Sequence, residues 1–164
     1  LVVSGETTYI AYYNAVQGDL EFLEGSPGNW THTVVDQTGN VGQWPSLHVE
    51  GDELWMAFHD VGNQDLKFAR RVGGTWSVET IDQGEFRGAD THVFVRDGQP
   101  NILYFDGDLN DQMIAEYNGT SWTFRQLDGD DAAVGFHNEV VEAGGKFWVG
   151  SYDFTNRKLV VNSL

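Results

Sequence analysis

Apolar residues fall in short runs, and the polar breaks between them come at even intervals. The stretch from 46 to 81 shows this best. Ser46-Leu47-His48-Val49 reads as a short strand closed by a Gly51-Asp52 turn. Leu54-Trp55-Met56-Ala57-Phe58-His59 is a second strand, ending at Asp60. Val61-Gly62-Asn63-Gln64 is a turn, and Leu66-Lys67-Phe68-Ala69 is a third strand. After Gly73-Gly74 comes Trp76-Ser77-Val78-Glu79-Thr80-Ile81, a fourth, alternating strand. Gly, Asn and Asp supply the left-handed backbone angles of tight hairpins. Short aromatic and β-branched runs with such turns predict an antiparallel meander, and no segment carries a 3.6-residue apolar stripe of helical length.

The meander repeats. Trp30, Trp76 and Trp122 are 46 residues apart, and Asn14, Asp60, Asp106 and Asp153 follow steps of 46, 46 and 47. Asp19, Asp65, Asp111 and Lys158 keep the same register. Four antiparallel strands in about 46 residues are the dimensions of one β-propeller blade. The sequence therefore predicts an all-β fold of four-stranded blades, about 3.75 of them, in one partial propeller. The expected blades are approximately 1–44, 45–89, 90–136 and an incomplete 137–164. A propeller blade buries its faces on two neighbours. The expectation is that a second chain, or the remainder of a longer parent, completes the ring.

The repeated segments resemble the sialidase-like, or Asp-box (BNR-like), repeat propellers. The resemblance rests on Ala11-Tyr12-Tyr13-Asn14 with Gly18-Asp19-Leu20, and on Ala57-Phe58-His59-Asp60 with Asp65-Leu66-Lys67-Phe68-Ala69. It also rests on the turns Gly25-Ser26-Pro27-Gly28-Asn29-Trp30, Gly73-Gly74-Thr75-Trp76 and Asn118-Gly119-Thr120-Ser121-Trp122. It covers nearly the whole chain and implies a fold shared by hydrolases, lyases, lectin-like modules and scaffolds. These repeats are degenerate, because none of the three turns carries the Asp of Ser-x-Asp-x-Gly. Sialidase activity would imply three arginines at the channel mouth, and only Arg87 falls in a loop expected there.

Charge narrows the partners. Nine Lys and Arg face 25 Asp and Glu, for a net charge of −16, which repels nucleic acid and anionic membrane surfaces. No apolar run is long enough to span a membrane, and the first residues lack the pattern of a signal peptide. An acidic surface of this kind fits a secreted, extracellular or periplasmic setting. There is no cysteine, so disulfides and Cys-ligated metals are excluded.

Antiparallel topology places the linkers 39–44, 84–91 and 129–136 on one face, where loops vary over a rigid frame. That face holds the candidate ligand-binding residues Trp44, His48, Arg87, His92, Phe136 and His137. His48, His92 and His137 lie in or just before successive first strands, at odd offsets from the following turn, so regular strands would place them on one face. Their stagger of about 6–7 Å per step makes them a wall rather than a shared metal site. Three imidazoles remain a candidate for zinc or another divalent ion. The loop Asp106-Gly107-Asp108-Leu109-Asn110-Asp111 has the oxygen density of a calcium site at Asp106, Asp108, Asn110 and Asp111, although it lacks the EF-hand spacing. The recurring Asn14/Asp60/Asp106/Asp153 column reads as turn caps, since a residue needed once for chemistry does not recur in every blade.

Two functions are consistent with this pattern. One is a non-catalytic segment that binds a glycan, peptide or partner protein on the variable face. The other is a propeller polysaccharide lyase or glycoside hydrolase with His92 or His137 as base, assisted by Tyr104 or Asp90. No phosphate loop, nucleophile elbow or His-Glu-x-x-His is present.

Overall fold

The computed structural model describes residues 1–164, which form fifteen strands and no helix. The first sheet contains β1 (Val2–Ser4), β2 (Thr7–Asn14), β3 (Asp19–Ser26) and β4 (Asn29–Asp36). The second contains β5 (Val41–Glu50), β6 (Glu53–Asp60), β7 (Asp65–Val72) and β8 (Thr75–Asp82). The third contains β9 (Arg87–Arg96), β10 (Gln99–Asp106), β11 (Asp111–Tyr117) and β12 (Trp122–Asp128). The fourth contains β13 (Val134–Ala143), β14 (Lys146–Asp153) and β15 (Lys158–Ser163). Every sheet is a meander in chain order, and the four are successive blades of a β-propeller. The first strands of blades 2, 3 and 4 start at Val41, Arg87 and Val134, so they absorb part of each expected linker.

Packing between blades explains the burial pattern. β6 and β10 are buried at seven of their eight positions, although their residues point alternately to both faces. Each lies in a sheet sandwiched between two others. β2 and β14 belong to the outer blades and are only partly buried.

Three apolar clusters fill the three interfaces. Leu20 and Phe22 of blade 1 meet Leu54, Met56 and Phe58 of blade 2. Trp55, Leu66 and Phe68 of blade 2 meet Val93, Ile102 and Tyr104 of blade 3. Phe94, Leu103 and Ile114 of blade 3 meet Val149 of blade 4. Fully burying one such side chain contributes about 1.5–3 kcal/mol. On the far face of blade 4, by contrast, Val141, Trp148, Leu159 and Val161 are exposed.

Backbone staples fix the loops at one end of the blades. The Arg87 amide donates to the Gln64 carbonyl at 2.7 Å, and the Gly107 amide to the Phe86 carbonyl at 2.9 Å. The same pairing recurs as Val41 to Gly18 and Gly62 to Asn40, then as Val134 to Asn110 and Phe154 to Ala133. Each linker is thus tied to the second-to-third-strand turns on both sides of it. Within those turns Asn14, Asp60, Asp106 and Asp153 each accept backbone N–H groups two or three residues on, at 2.8–3.3 Å.

Candidate functional site at the channel mouth

The site begins with three glycines. Gly42, Gly88 and Gly135 open successive first strands at φ +105°, +86° and +110°. A Cβ there would lie 2.8–2.9 Å from the Cα of Leu20, Leu66 or Gln112, the second residue of the third strand in the preceding blade. Only glycine allows this approach.

Two residues later each strand bulges. The pairing jumps between Gln43 and Ser46 in β5, and between Ala89 and His92 in β9. In β13 it jumps between Phe136 and Glu139. At the three bulges Trp44, Asp90 and His137 hold φ values of +48°, +49° and +55°. A non-glycine residue pays about 1–2 kcal/mol for that conformation. Bulges of this kind re-aim side chains and are over-represented beside functional sites.

The bulge carbonyls are held by the next blade. Thr91 Oγ1 donates to the Trp44 carbonyl at 2.6 Å. Asn138 Nδ2 donates to the Asp90 carbonyl at 2.9 Å, while its own Oδ1 accepts from Gln112 at 2.7 Å. The three bulges therefore form one interlocked arc around a cavity of about 260 Å³. It is lined by Trp44, Pro45, Asp90, Thr91, His137, Asn138 and Glu139. Inside it His137 Nδ1 lies 3.8 Å from Asp90 Oδ1, and the His137 side chain is exposed.

Below the mouth, the first strands of all four blades line a cleft of about 740 Å³. His48 and His92 face it, together with Glu50, Glu139 and Glu142. His48 stacks on Trp55 at 6.0 Å. His92 Nδ1 is 3.2 Å from the Asn138 carbonyl and 3.3 Å from Glu139. Burial pushes the His92 imidazole below its ordinary pKa despite that carboxylate. The three histidines do not converge, and no group of three or more His, Asp or Glu side chains is gathered to hold a metal ion. The equal-parity expectation fails at His137, because it precedes the extra bulge residue while His48 and His92 follow theirs.

Other sequence candidates lie elsewhere or are already engaged. Tyr104 is fully buried in the core between blades 2 and 3, where its hydroxyl donates to Asp82 at 2.5 Å. It cannot assist a base at the mouth. Arg87 is at the mouth end, but its guanidinium is paired with Asp106 and lies 3.5 Å from Asp108. That pairing also replaces the expected calcium cage. Asp106 spends its oxygens on Arg87 and two backbone amides. Asp111 starts β11 as a buried residue, its carboxyl pushed up by burial and then by Asp130 and Asp128.

Phe136 packs against Phe105 in a tilted pair at 4.3 Å and belongs to a row of aromatic rings. Trp44 meets Phe86 at 5.9 Å, Phe86 meets Phe105 at 6.4 Å, and Phe136 meets Phe154 at 5.9 Å. A smaller cleft of about 230 Å³ at the opposite end of blades 2 and 3 is lined by Phe68, Arg70, Glu79, Tyr117 and Trp122. Its polar groups are already engaged, Trp122 Nε1 with Glu79 at 3.1 Å and Arg70 with Glu53, outside the cleft, at 2.7 Å.

No protein-family model and no curated protein matches the chain. Solved structures do. The chain is similar to GH43B of the Bacteroides ovatus xyloglucan PUL, with a TM-score of 0.62 and 12% identity. The likeness covers 99% of this chain and 37% of that one. It is also similar to the Aleuria aurantia lectin in complex with Fucα1-6GlcNAc (TM-score 0.58, 14% identity, 95% of this chain and 56% of that). A third is a thermostable family-43 glycoside hydrolase (TM-score 0.58, 15% identity, 99% and 66%). At these identities the likeness is one of fold, that of a β-propeller. This chain spans well under two thirds of the first two.

Proposed function

We propose that this chain is a carbohydrate-binding segment of a larger β-propeller, and that it takes its ligand at the mouth built by the three bulges. The observation that carries this reading is the equivalence of Trp44, Asp90 and His137. Three blades hold a non-glycine residue in a strained conformation at the same position, and the three side chains differ in chemistry. Left-handed non-glycine residues also recur in the second-to-third-strand turns, as Gln64, Asn110 and Arg157 where blade 1 has Gly18. What singles out the mouth is that its three differing side chains sit at bulges around one cavity. Trp44 offers a ring face for a sugar. The Asp90 and Glu139 carboxylates offer hydroxyl acceptors, and His137 offers a further donor or acceptor. Glycoside hydrolases and a fucoside-bound lectin among the similar folds support a sugar as the ligand.

A lyase is the less favoured reading, because it needs a cation to hold the uronate carboxylate. The cation nearest the mouth, Arg87, is already neutralised by Asp106 and Asp108. Further blades, from the same parent or a second chain, cover the exposed face of blade 4 in this proposal.

The test is an array of neutral and acidic glycans that includes xyloglucan oligosaccharides and Fucα1-6GlcNAc, probed with the wild-type chain and with Asp90→Asn and His137→Ala. Binding to neutral glycans that weakens about tenfold or more in each variant, at unchanged thermal stability, supports the site. Release of reducing ends from a bound glycan would move the reading to a hydrolase. Binding indifferent to both variants would place the ligand elsewhere.

A further inference from the structure

The aromatic row leads away from the mouth and has no task in holding the three bulges. Trp44 starts it in blade 2. Phe86, in the linker to blade 3, touches both Trp44 and the buried His59. Phe105 and Phe136 continue it into blades 3 and 4, and Phe154 ends it in the loop after β14. Only part of the row is core. Phe105 and His59 are buried, whereas Trp44, Phe86 and Phe154 are exposed. Phe154 is 66% exposed, although it follows the buried cap Asp153 and its backbone is stapled to Ala133. A rigid backbone thus presents an aromatic ring to solvent, which costs hydrophobic free energy unless something covers it.

Charge restricts the covering group. Arg87 is paired with Asp106 and Asp108, and Lys158 lies 3.7 Å from Asp153. That leaves Arg157, in the loop of Phe154, as the one basic side chain along the row outside an ion pair. Glu85, Asp90, Asp108, Asp130 and Asp131 surround the same loops in a chain of net charge −16. A uronate or sulfated sugar would meet these five carboxylates with one unpaired cation, Arg157, at the far end of the row.

We infer that the mouth and the aromatic row form one continuous binding track for an uncharged oligosaccharide. One end of the chain sits between Trp44, Asp90 and His137, and later sugar rings stack outward on Phe86 and Phe154. This inference rests on the mouth being a sugar site and adds the length and charge class of the ligand. Stacked rings give sequence-tolerant contact with repeating sugars, while the mouth supplies the hydrogen bonds that fix register.

The experiment is calorimetric titration of the whole chain with cello-oligosaccharides and xylo-oligosaccharides from disaccharide to hexasaccharide, with oligogalacturonates as the charged series. The track predicts affinity that climbs with length by about fivefold per added aromatic contact. Phe154→Ala, an exposed position whose loss leaves the core intact, should abolish the gain for the long sugars and leave the disaccharide unchanged. Affinity that is independent of length, or unaffected by Phe154→Ala, overturns the track and leaves the mouth site standing. Equal or tighter binding of oligogalacturonates overturns the charge class. Absence of binding by every neutral sugar overturns the mouth site and the track together.

Discussion

Replacing His137 by glycine should make the protein more stable and a weaker binder at once. His137 holds φ +55° in the bulge of β13, and its side chain is largely exposed. Its one polar neighbour within reach is Asp90, at 3.8 Å, beyond hydrogen-bond distance. Relief of the left-handed conformation is worth about 1–2 kcal/mol. The extra freedom of glycine in the unfolded chain takes back about 0.5–1 kcal/mol. The balance is a stabilisation of about 0.5–1 kcal/mol, or a rise in Tm of roughly 1–4 °C for a domain of this size. Differential scanning calorimetry of His137→Gly beside His137→Ala separates the terms, because alanine loses the imidazole but keeps the strain. If the account is right, glycine melts above wild type, alanine does not, and both lose glycan affinity. A His137→Gly variant less stable than wild type would show that the imidazole braces the fold, and strain held for function would be the wrong description of the bulge.

Other consequences can be measured alongside. Lys67 is buried with its ammonium 2.5 Å from Asp36 and 3.9 Å from Asp60, so Lys67→Met strands two buried carboxylates and should cost about 3–5 kcal/mol in urea denaturation. Tyr104→Phe leaves Asp82 without its donor and should cost about 1–2 kcal/mol with glycan binding unchanged, whereas a catalytic or ligand-contacting role predicts the reverse. Gly88→Ala places a methyl group 2.9 Å from the Leu66 Cα at φ +86°, so its Tm should fall well below that of an alanine at the exposed Gly73, and equal values would contradict the close approach.

Acid should act in two stages. Burial holds the His59 imidazole below 6.5, so the unfolded state binds more protons and stability declines as pH falls below that value. Hydrogen bonds from Tyr12, then Asn14 and His32, hold Glu21 down at about 2, so its contribution is present above about 4.5 and lost as pH falls towards 2. Glu21→Gln should flatten the second stage in a pH series of melting temperatures. An unaltered acid limb would refute the assignment.

The periodic Trp and Asp columns made the blades readable, because a turn cap and an interblade aromatic must recur wherever the blade recurs. The mouth was less legible. Trp44, Asp90 and His137 share the 46-to-47-residue step, but nothing in a Trp, an Asp or a His announces a left-handed backbone. The signal lay two residues earlier, in Gly42, Gly88 and Gly135, which share the same step. Counting parity along β13 went wrong for His137 because an extra residue at a bulge reverses which face a side chain takes. Arg87 looked like the free cation of the mouth because its partners, Asp106 and Asp108, come from the next turn and are brought to it only by the fold. Thr91 and Asn138 were missed for the same reason, since their hydrogen bonds reach back across a whole blade.

The claim that function sits at the bulged mouth is tested most directly by mapping amide chemical-shift changes while a bound neutral oligosaccharide is titrated into the labelled chain. The account predicts that the largest changes fall on Trp44, Asp90, His137 and Asn138 and spread towards Phe86 and Phe154. Changes centred instead on Arg70, Glu79 and Trp122, at the opposite end of the blades, would contradict it.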